Sequence, residues 1–483
     1  MTFPEPLRRS RVRPCGQHHR RWRIAWLLGI GVLVNYFDRV NLSVSQAALF
    51  STFGISAVTF GYLAGAYSWT YALCQLPIGV ILDKWGIRRV GRLSIVLWTI
   101  ASFAAAVSPW LGGLFAARLL LGVGEAPTFP ANAKAVGRWF PPHERSFATS
   151  MFDSAAKLGS ALGVPLLGLL LLHIGWRWSF AFTGFLSILY FWYFSRVYRD
   201  PEHDPHLTES ERAYIEGSAS ASAAQAASAR TAGAPERSEG SASASAAQAA
   251  SARTAGAPER SEEPAVASSA SAPASDETPS LATLLLNRKV IGLAIGFGSY
   301  NYVFYLLLTW LPGYLHQALH LNLQNSFLYT GFPWLVAAIA DLAIGGWLAD
   351  RLIQRGWNAN KVRKVILIGG TACGLGILGA AHAHSTNAAI LWITLSIAGL
   401  SAAAPIGWSI PALIIPRNSV GRVGGIVNFS NQLSGVAAPI VTGYCVQNLN
   451  SFTWAFGISA IYLGIGITAY LTLLGKIEPI QVS

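Results

Sequence analysis

The sequence predicts an all-α membrane protein: twelve transmembrane helices in two six-helix bundles. Three observations carry that expectation. Of the 483 residues, 52% are hydrophobic and only 12% charged, where a soluble domain carries about 25% charged residues. Mean hydropathy is +0.41. Apolar runs long enough to cross a bilayer, about 20 residues at 1.5 Å each, recur along the chain on both sides of one long polar insert.

In chain order the apolar runs cover 22–50, 58–82, 90–108, 110–135, 146–172 and 176–196, then 288–315, 325–350, 363–382, 387–414, 420–445 and 452–475. The formal net charge of +13 would point to nucleic acid in a soluble protein, but here the basic residues fall between apolar runs. Lys84, Arg88, Arg89 and Arg92 follow the second run, Arg138 and Arg145 the fourth, and Arg196 and Arg199 the sixth. Arg351, Arg355, Lys361, Arg363 and Lys364 follow the eighth, and Arg417 and Arg422 the tenth. The intervening connections are nearly free of Lys and Arg, with Arg177 the exception. The positive-inside rule then places both termini in the cytoplasm of a multi-pass protein of the cell (inner) membrane. The arginine-rich start precedes a long helix with no small-residue cleavage site, so it reads as a cytoplasmic tail and not a signal peptide. Cys15, Cys74, Cys373 and Cys445 show no paired spacing, which argues against a disulfide framework or a zinc site.

The expected organisation is a basic tail (1–21), a first bundle (22–199), a cytoplasmic linker (200–286), a second bundle (287–476) and a short tail (477–483). The insert from Asp200 to Pro279 is low-complexity Ala, Ser, Glu and Arg. Residues 217–239 recur identically as 240–262. No apolar periodicity is available to bury a core, so the insert is expected to be disordered.

Charges inside the apolar runs are the functional signal. Asp38 and Arg39 lie about 20 Å along the first helix from Arg23, where a charge costs at least ~2.5 kcal/mol and faces a cavity or a partner. Arg118 and Glu125 on the fourth run are seven residues apart, close to two turns, and share a face. Two arginines and two carboxylates can stack around one central cavity. Arginine binds both oxygens of a carboxylate and does not deprotonate. Burial favours the protonated form of a carboxyl and a neighbouring arginine the charged form, so an arriving anion can alter proton affinity. Structural salt bridges are the alternative. Asp153 and Lys157, spaced i,i+4 on the fifth run, and Asp341 on the eighth are further candidates for the cavity. Tyr300, Tyr302 and Tyr305 on the seventh are aromatic candidates, with Tyr302 taken as a substrate contact. Trp22, Trp26, Trp110, Trp176 and Trp178, near span ends, read as interface anchors.

Two loops repeat between the halves. Gly79-x-x-x-Asp83-Lys84-x-Gly86-x-Arg88-Arg89 follows the second run, and Gly346-x-x-x-Asp350-Arg351 follows the eighth. Parallel repeats of six helices are a transporter architecture. An Asp at each such helix end, paired with a nearby base, can latch two bundles in one state and release them in another; a static surface pair worth little is the alternative. These loops resemble the signature of the major facilitator superfamily, the first closely and the second in part. Asn35-Tyr36-x-Asp38-Arg39-x-Asn41-Leu42, Arg118-x6-Glu125-Ala126-Pro127-x-Phe129-Pro130, Thr309-Trp310-x-Pro312-x-Tyr314-Leu315 and Gly424-Gly425-x-x-Asn428-Phe429 together resemble the anion:cation symporters, sugar-acid importers such as the D-galactonate and hexuronate transporters among them.

The resemblance implies that Arg39 holds a substrate carboxylate, that Asp38 and Glu125 take part in protonation, that Arg118 pairs with Glu125, and that Tyr36 and Asn428 contact substrate hydroxyls. It departs at Asp153, Lys157 and Asp341, and at Ala402-Ala403-Ala404-Pro405 before Trp408, which offers little to a polyol. The expected protein is a monomeric proton-coupled importer of a small organic anion, with the lipid bilayer as its medium. Protons are the coupling ion, and no cofactor, metal, nucleic-acid or enzymatic role is expected. A facilitator or exporter of a neutral solute and a transporter-like sensor are the competing readings.

Overall fold

The computed structural model describes residues 20–141, 144–217, 281–415, 420–478 and 480. Most of the basic tail, Cys15, Arg417 and the insert from 218 to 280, with nearly all of the tandem repeat, lie outside the described residues.

The described chain is helical almost throughout. The first span is Arg20–Val44, continued past a bend by Gln46–Phe53. The second and third run through Ala57–Val107 and turn at Gly86, whose φ of 75° no side-chain-bearing residue adopts readily. The fourth is Leu111–Glu125 and Thr128–Trp139, interrupted where Pro127 and Pro130 remove backbone donors. The fifth and sixth are Arg145–Ile174 and Trp176–Val197. Beyond the insert come Arg288–Gln317 as the seventh and Leu323–Ala340 as the eighth, which passes through a π-helical stretch, Asp341–Leu348, into Ala349–Gln354. The ninth runs from Ala359–Cys373 to Ile377–Ala381. The tenth is Thr386–Ile414, the eleventh Val420–Leu449 and the twelfth Phe452–Ala469 with Tyr470–Leu474. Among the described residues, seven helices are apolar and long enough to span a bilayer individually. The first, second, fourth, sixth and eleventh are not among these seven; the first carries buried charges, and the fourth carries buried charges and the proline break. The twelve spans expected from the sequence are all present as helices.

The halves meet along two seams, the second span against the eleventh and the fifth against the eighth. Near the starts of the second and eighth spans the contact is close. A Cβ at Gly61 would lie 2.6 Å from the Pro439 carbonyl oxygen and 2.9 Å from Ile440 Cα, so only glycine lets these backbones touch. The same carbonyl accepts from Trp310 Nε1 at 3.2 Å. Toward the opposite, arginine-rich end the halves part around a cavity of about 440 Å³.

One expectation about the insert is corrected. Residues 200–217 are ordered and docked on the first bundle: Pro201–His203 forms a turn of 3-10 helix and 209–217 an α-helix. The low-complexity composition begins only after this stretch. Here acids meet the bases at the start of the first span. Asp204 accepts from Arg20 Nε at 3.0 Å and Nη2 at 2.6 Å. Arg21 donates to Glu211 at 3.1 Å and, through Nε and Nη2, to Glu144 at 2.8 and 3.0 Å. Arg138 donates to Asp200 at 3.2 Å, and Leu207 is buried. Thr208 Oγ1 accepts from the Glu211 amide at 3.3 Å, one arm of a capping box. Arg20 and Arg21 therefore belong to the first helix and not to the tail.

Arg21 ties Glu144 and Glu211 to one guanidinium, and the Arg21 and Glu211 side chains are 7% and 2% exposed. Removing one member of such a buried cluster costs about 3 kcal/mol. Arg21→Ala is expected to lower the thermal midpoint of the purified protein by several degrees. Adding Glu211→Gln should recover part of that loss. An unchanged midpoint in Arg21→Ala would show that the docked segment contributes nothing to stability.

Candidate functional site

The intramembrane charges form two clusters. The first is built on Arg39. It is buried, and its Nε donates to Glu125 Oε2 at 2.9 Å while Nη2 donates to Asn35 Oδ1 at 3.1 Å. Three tyrosine rings surround the guanidinium, with centroids at 4.6 Å (Tyr36), 4.8 Å (Tyr67) and 5.4 Å (Tyr71). A desolvated cation over such faces gains roughly 2 kcal/mol. Tyr36 also meets Phe304 of the seventh span edge-on at 6.3 Å, which places Arg39 at the junction of the halves. Tyr67, Tyr71 and Gln75 were not foreseen, although their i, i+4, i+8 spacing on the second span puts them on one face.

The expected Arg118–Glu125 pair is replaced by Arg39–Glu125. Two turns on one helix set Arg118 and Glu125 about 10 Å apart along the axis. The Arg118 guanidinium instead lies beside the Tyr67 ring at 5.4 Å, and its Nη1 approaches the Asp38 carbonyl oxygen at 3.5 Å. A cavity of about 20 Å³, the scale of a single water site, touches both Arg39 and Arg118. Asp38 is buried, but one helix step turns it about 100° from Arg39. Its carboxylate accepts from Ser102 Oγ of the third span at 2.7 Å. Asp38 thus faces into the first half and not the seam.

The larger cavity lies one to two turns from Arg39 toward the arginine-rich end. Gln75, Gly79, Phe129, Asp153, Trp408 and Asn428 are among its lining residues. Asn428 Nδ2 donates to Gln75 Oε1 at 2.7 Å across the seam, and Gln75 Nε2 donates to the Ala126 carbonyl, next to Glu125, at 3.2 Å. This relay stands between the cavity and the Arg39–Glu125 pair. Asn428 therefore lines the cavity. Tyr302 does not: it packs edge-on against Tyr462 of the twelfth span at 5.7 Å. Tyr300 and Tyr305 face the centre, Tyr305 donating to Gln432 at 3.3 Å. Two residues at 100° each turn Tyr302 away from Tyr300.

The second cluster joins the fifth and eighth spans. Lys157 Nζ lies 2.5 Å from Asp153 Oδ2 and 2.7 Å from Asp341 Oδ2, and all three residues are buried. What the sequence offered as an isolated i,i+4 pair is a triad, with its third member from the other half.

The signature loops make their contacts within each half. Asp83, 79% exposed, pairs with Lys134 of the fourth span at 2.5 Å. Arg88 and Arg92 donate to the Ser195 carbonyl at 3.4 and 3.1 Å, and Arg89 is exposed. Asp350 has Arg363 of the ninth span as its electrostatic partner, while Arg351 lies against the Trp347 ring at 5.3 Å. Among the described residues neither aspartate bridges the halves. That fits a state in which this end stands apart. Groups of three or more His, Cys, Asp or Glu placed to hold a metal ion are absent from the described residues.

Twelve spans in two halves, a central cavity and charges buried at the seam define a membrane transporter. The Major Facilitator Superfamily model matches residues 28–438, with a second match over 356–481, and the chain belongs to that superfamily. It is 34% identical over 467 residues to the uncharacterized transporter YybO of Bacillus subtilis (strain 168), covering 96% of each chain. It is 28% identical to the D-galactonate transporter of Escherichia coli O6:H1, covering 95% of this chain and 96% of the other. The probable galactarate/D-glucarate transporter GudP of Escherichia coli K12 is also 28% identical, with 95% of each covered. Among solved structures, the D-xylose-proton symporter aligns with a TM-score of 0.66 at 14% identity. It covers 95% of this chain and 99% of the other, a likeness of fold.

The placements of Tyr302 and Asn428 are separable by mutation. Tyr302→Phe is expected to leave transport within about twofold, because its hydroxyl points away from the cavity. Asn428→Ala, which breaks the cross-seam bond to Gln75, is expected to raise the half-saturating solute concentration about fivefold, roughly 1 kcal/mol. Initial-rate uptake in proteoliposomes measures both, and a larger effect from Tyr302→Phe than from Asn428→Ala would reverse the assignment.

Proposed function

We propose that this chain imports a small organic anion, a sugar acid or related carboxylate, together with protons, by alternating access. The observation that carries the reading is Arg39, sealed in an aromatic box with its guanidinium shared between Glu125 and Asn35. An arginine held by a carboxylate is poised to exchange that partner for another carboxylate. Protonation of Glu125 removes the charge opposing the exchange, so a proton and an anion arrive together. The names of the relatives, D-galactonate and galactarate/D-glucarate transporters, point to the same class. The positive-inside distribution puts the arginine-rich end in the cytoplasm of the inner membrane with both termini there. On that orientation the cavity opens inward. A monomer needs no further subunit to complete the site.

In this scheme Arg39 is the anion anchor, Glu125 the proton carrier competing for it, and Asp38 a second acid set behind it. Tyr36, Gln75 and Asn428 serve as polar contacts on the path from the cavity, and Arg118 as a second cation near the closed end. Asp83 and Asp350 act as latches in the alternate state. The wall made by Phe129, Phe152 and Trp408 favours a carboxylate with an apolar portion over a fully hydroxylated one. A proteoliposome panel of labelled sugar acids, aromatic acids and neutral sugars tests this. Uptake of neutral sugars in preference to every acid would overturn the anion reading.

Arg39→Lys keeps the charge but loses the planar fork, and affinity for the best acid of the panel is expected to fall about tenfold or more. Unchanged affinity would make Arg39 structural.

Glu125→Gln mimics the protonated acid. It is expected to retain exchange of labelled for unlabelled substrate but not accumulation against a gradient when an inward proton gradient is imposed. Both assays are run on the same proteoliposomes. Accumulation by Glu125→Gln at wild-type levels would remove Glu125 as the coupling acid.

A further inference from the structure

The Asp153–Lys157–Asp341 triad is not used by the scheme above. One ammonium faces two carboxylates at 2.5 and 2.7 Å. Asp341 is fully buried, Lys157 2% and Asp153 6% exposed. With all three groups ionised the cluster carries one uncompensated negative charge, which a water-poor interior disfavours. Among the described residues no second Lys or Arg forms an ion pair with the cluster. Tyr300 of the seventh span and Tyr36 of the first are the other titratable groups in its field, and the tenth span, packed along the eighth, contains no charged residue between Thr386 and Ile414. Both Asp341 oxygens are buried without a hydrogen-bond partner, Oδ2 meeting Lys157 only as an ion pair. Asp153 lines the large cavity, which gives water and protons a route to the cluster. Asp341 also opens the π-helical stretch Asp341–Leu348. π-Helical stretches are rare and are frequent at functional sites where they occur.

We infer that Asp153, Lys157 and Asp341 form a proton-binding site of their own, bridging the two halves and separate from the Arg39–Glu125 pair. The inference rests on the proton-coupled reading above for its role in the transport cycle, though not for the existence of the site. A proton from cavity water bonds to a carboxylate oxygen of the Asp153–Asp341 pair, and the cluster goes from one negative charge to none. The proton belongs to the pair and not to one residue. Lys157 then keeps one full ion pair. When that pair is with Asp153, on its own helix, the tie to Asp341 weakens from an ion pair to a hydrogen bond. Loss of the proton restores the charged bridge across the seam. Occupancy of this site is thereby linked to how firmly the fifth span holds the eighth.

The test needs no identified substrate. Purified protein in lipid nanodiscs is titrated from acid to alkaline pH in weak buffer. Released protons are counted, and the infrared band of protonated carboxyl groups is followed. Asp341→Asn removes the uncompensated charge while leaving Lys157 paired with Asp153, so it is expected to fold. It should release one proton fewer than the wild type and lose one protonated-carboxyl component. Asp153→Asn is the second variant and is expected to show the same loss. Wild-type proton counts and spectra in both would overturn the proposal. A wild type that fails to accumulate any acid in response to a proton gradient would overturn the coupling reading alone and leave the proton count to decide the site.

Discussion

Charge inside a low-dielectric bundle has to be partnered, and that requirement organises this molecule. Arg39 cannot sit in the first span unless something answers it, and the answer comes from three helices. Glu125 supplies a carboxylate from the fourth span, Asn35 an amide from its own, and Tyr67 and Tyr71 their ring faces from the second. The same requirement brings Asp341 of the eighth span to Lys157 of the fifth. The packing of the spans around these groups is a consequence of desolvation as much as of apolar contact, because an unpartnered charge at this depth costs several kcal/mol.

The two ends of the bundle differ for a local reason. Where Gly61 meets Pro439 the backbones touch and the seam is tight. Toward the arginine-rich end larger groups line the seam, Phe129, Phe152 and Trp408 among them, and the halves part. The signature acids then take partners inside their own halves, Lys134 for Asp83 and Arg363 for Asp350. Asp350 and Arg363 are half-buried. Asp83 is exposed, and a surface pair of this kind contributes little to stability, so exchanging it for a partner in the other half costs little. That is the energetic property a reversible latch needs, whereas the buried Arg21–Glu144–Glu211 cluster binds the start of the insert to the first half as a fixed part of it.

Composition, the apolar runs and the placement of Lys and Arg were enough to determine an all-α membrane protein of twelve spans in two related halves, since each depends on residue type and spacing alone. They also marked Asp38, Arg39, Arg118, Glu125, Asp153, Lys157 and Asp341 as the residues to watch, because charge within an apolar run is visible in one dimension. Which charge meets which was decided only by the tertiary structure. Glu125 pairs with Arg39 across two helices and not with Arg118 two turns away, and Asp38 turns to Ser102. Tyr302 turns to the twelfth span. The docking of residues 200–217 was equally hidden, since it depends on acids meeting Arg20 and Arg21 over 184 to 190 positions of sequence. Helical phase sets which face a residue occupies, but the partner on that face comes from elsewhere in the chain, and only packing brings it there.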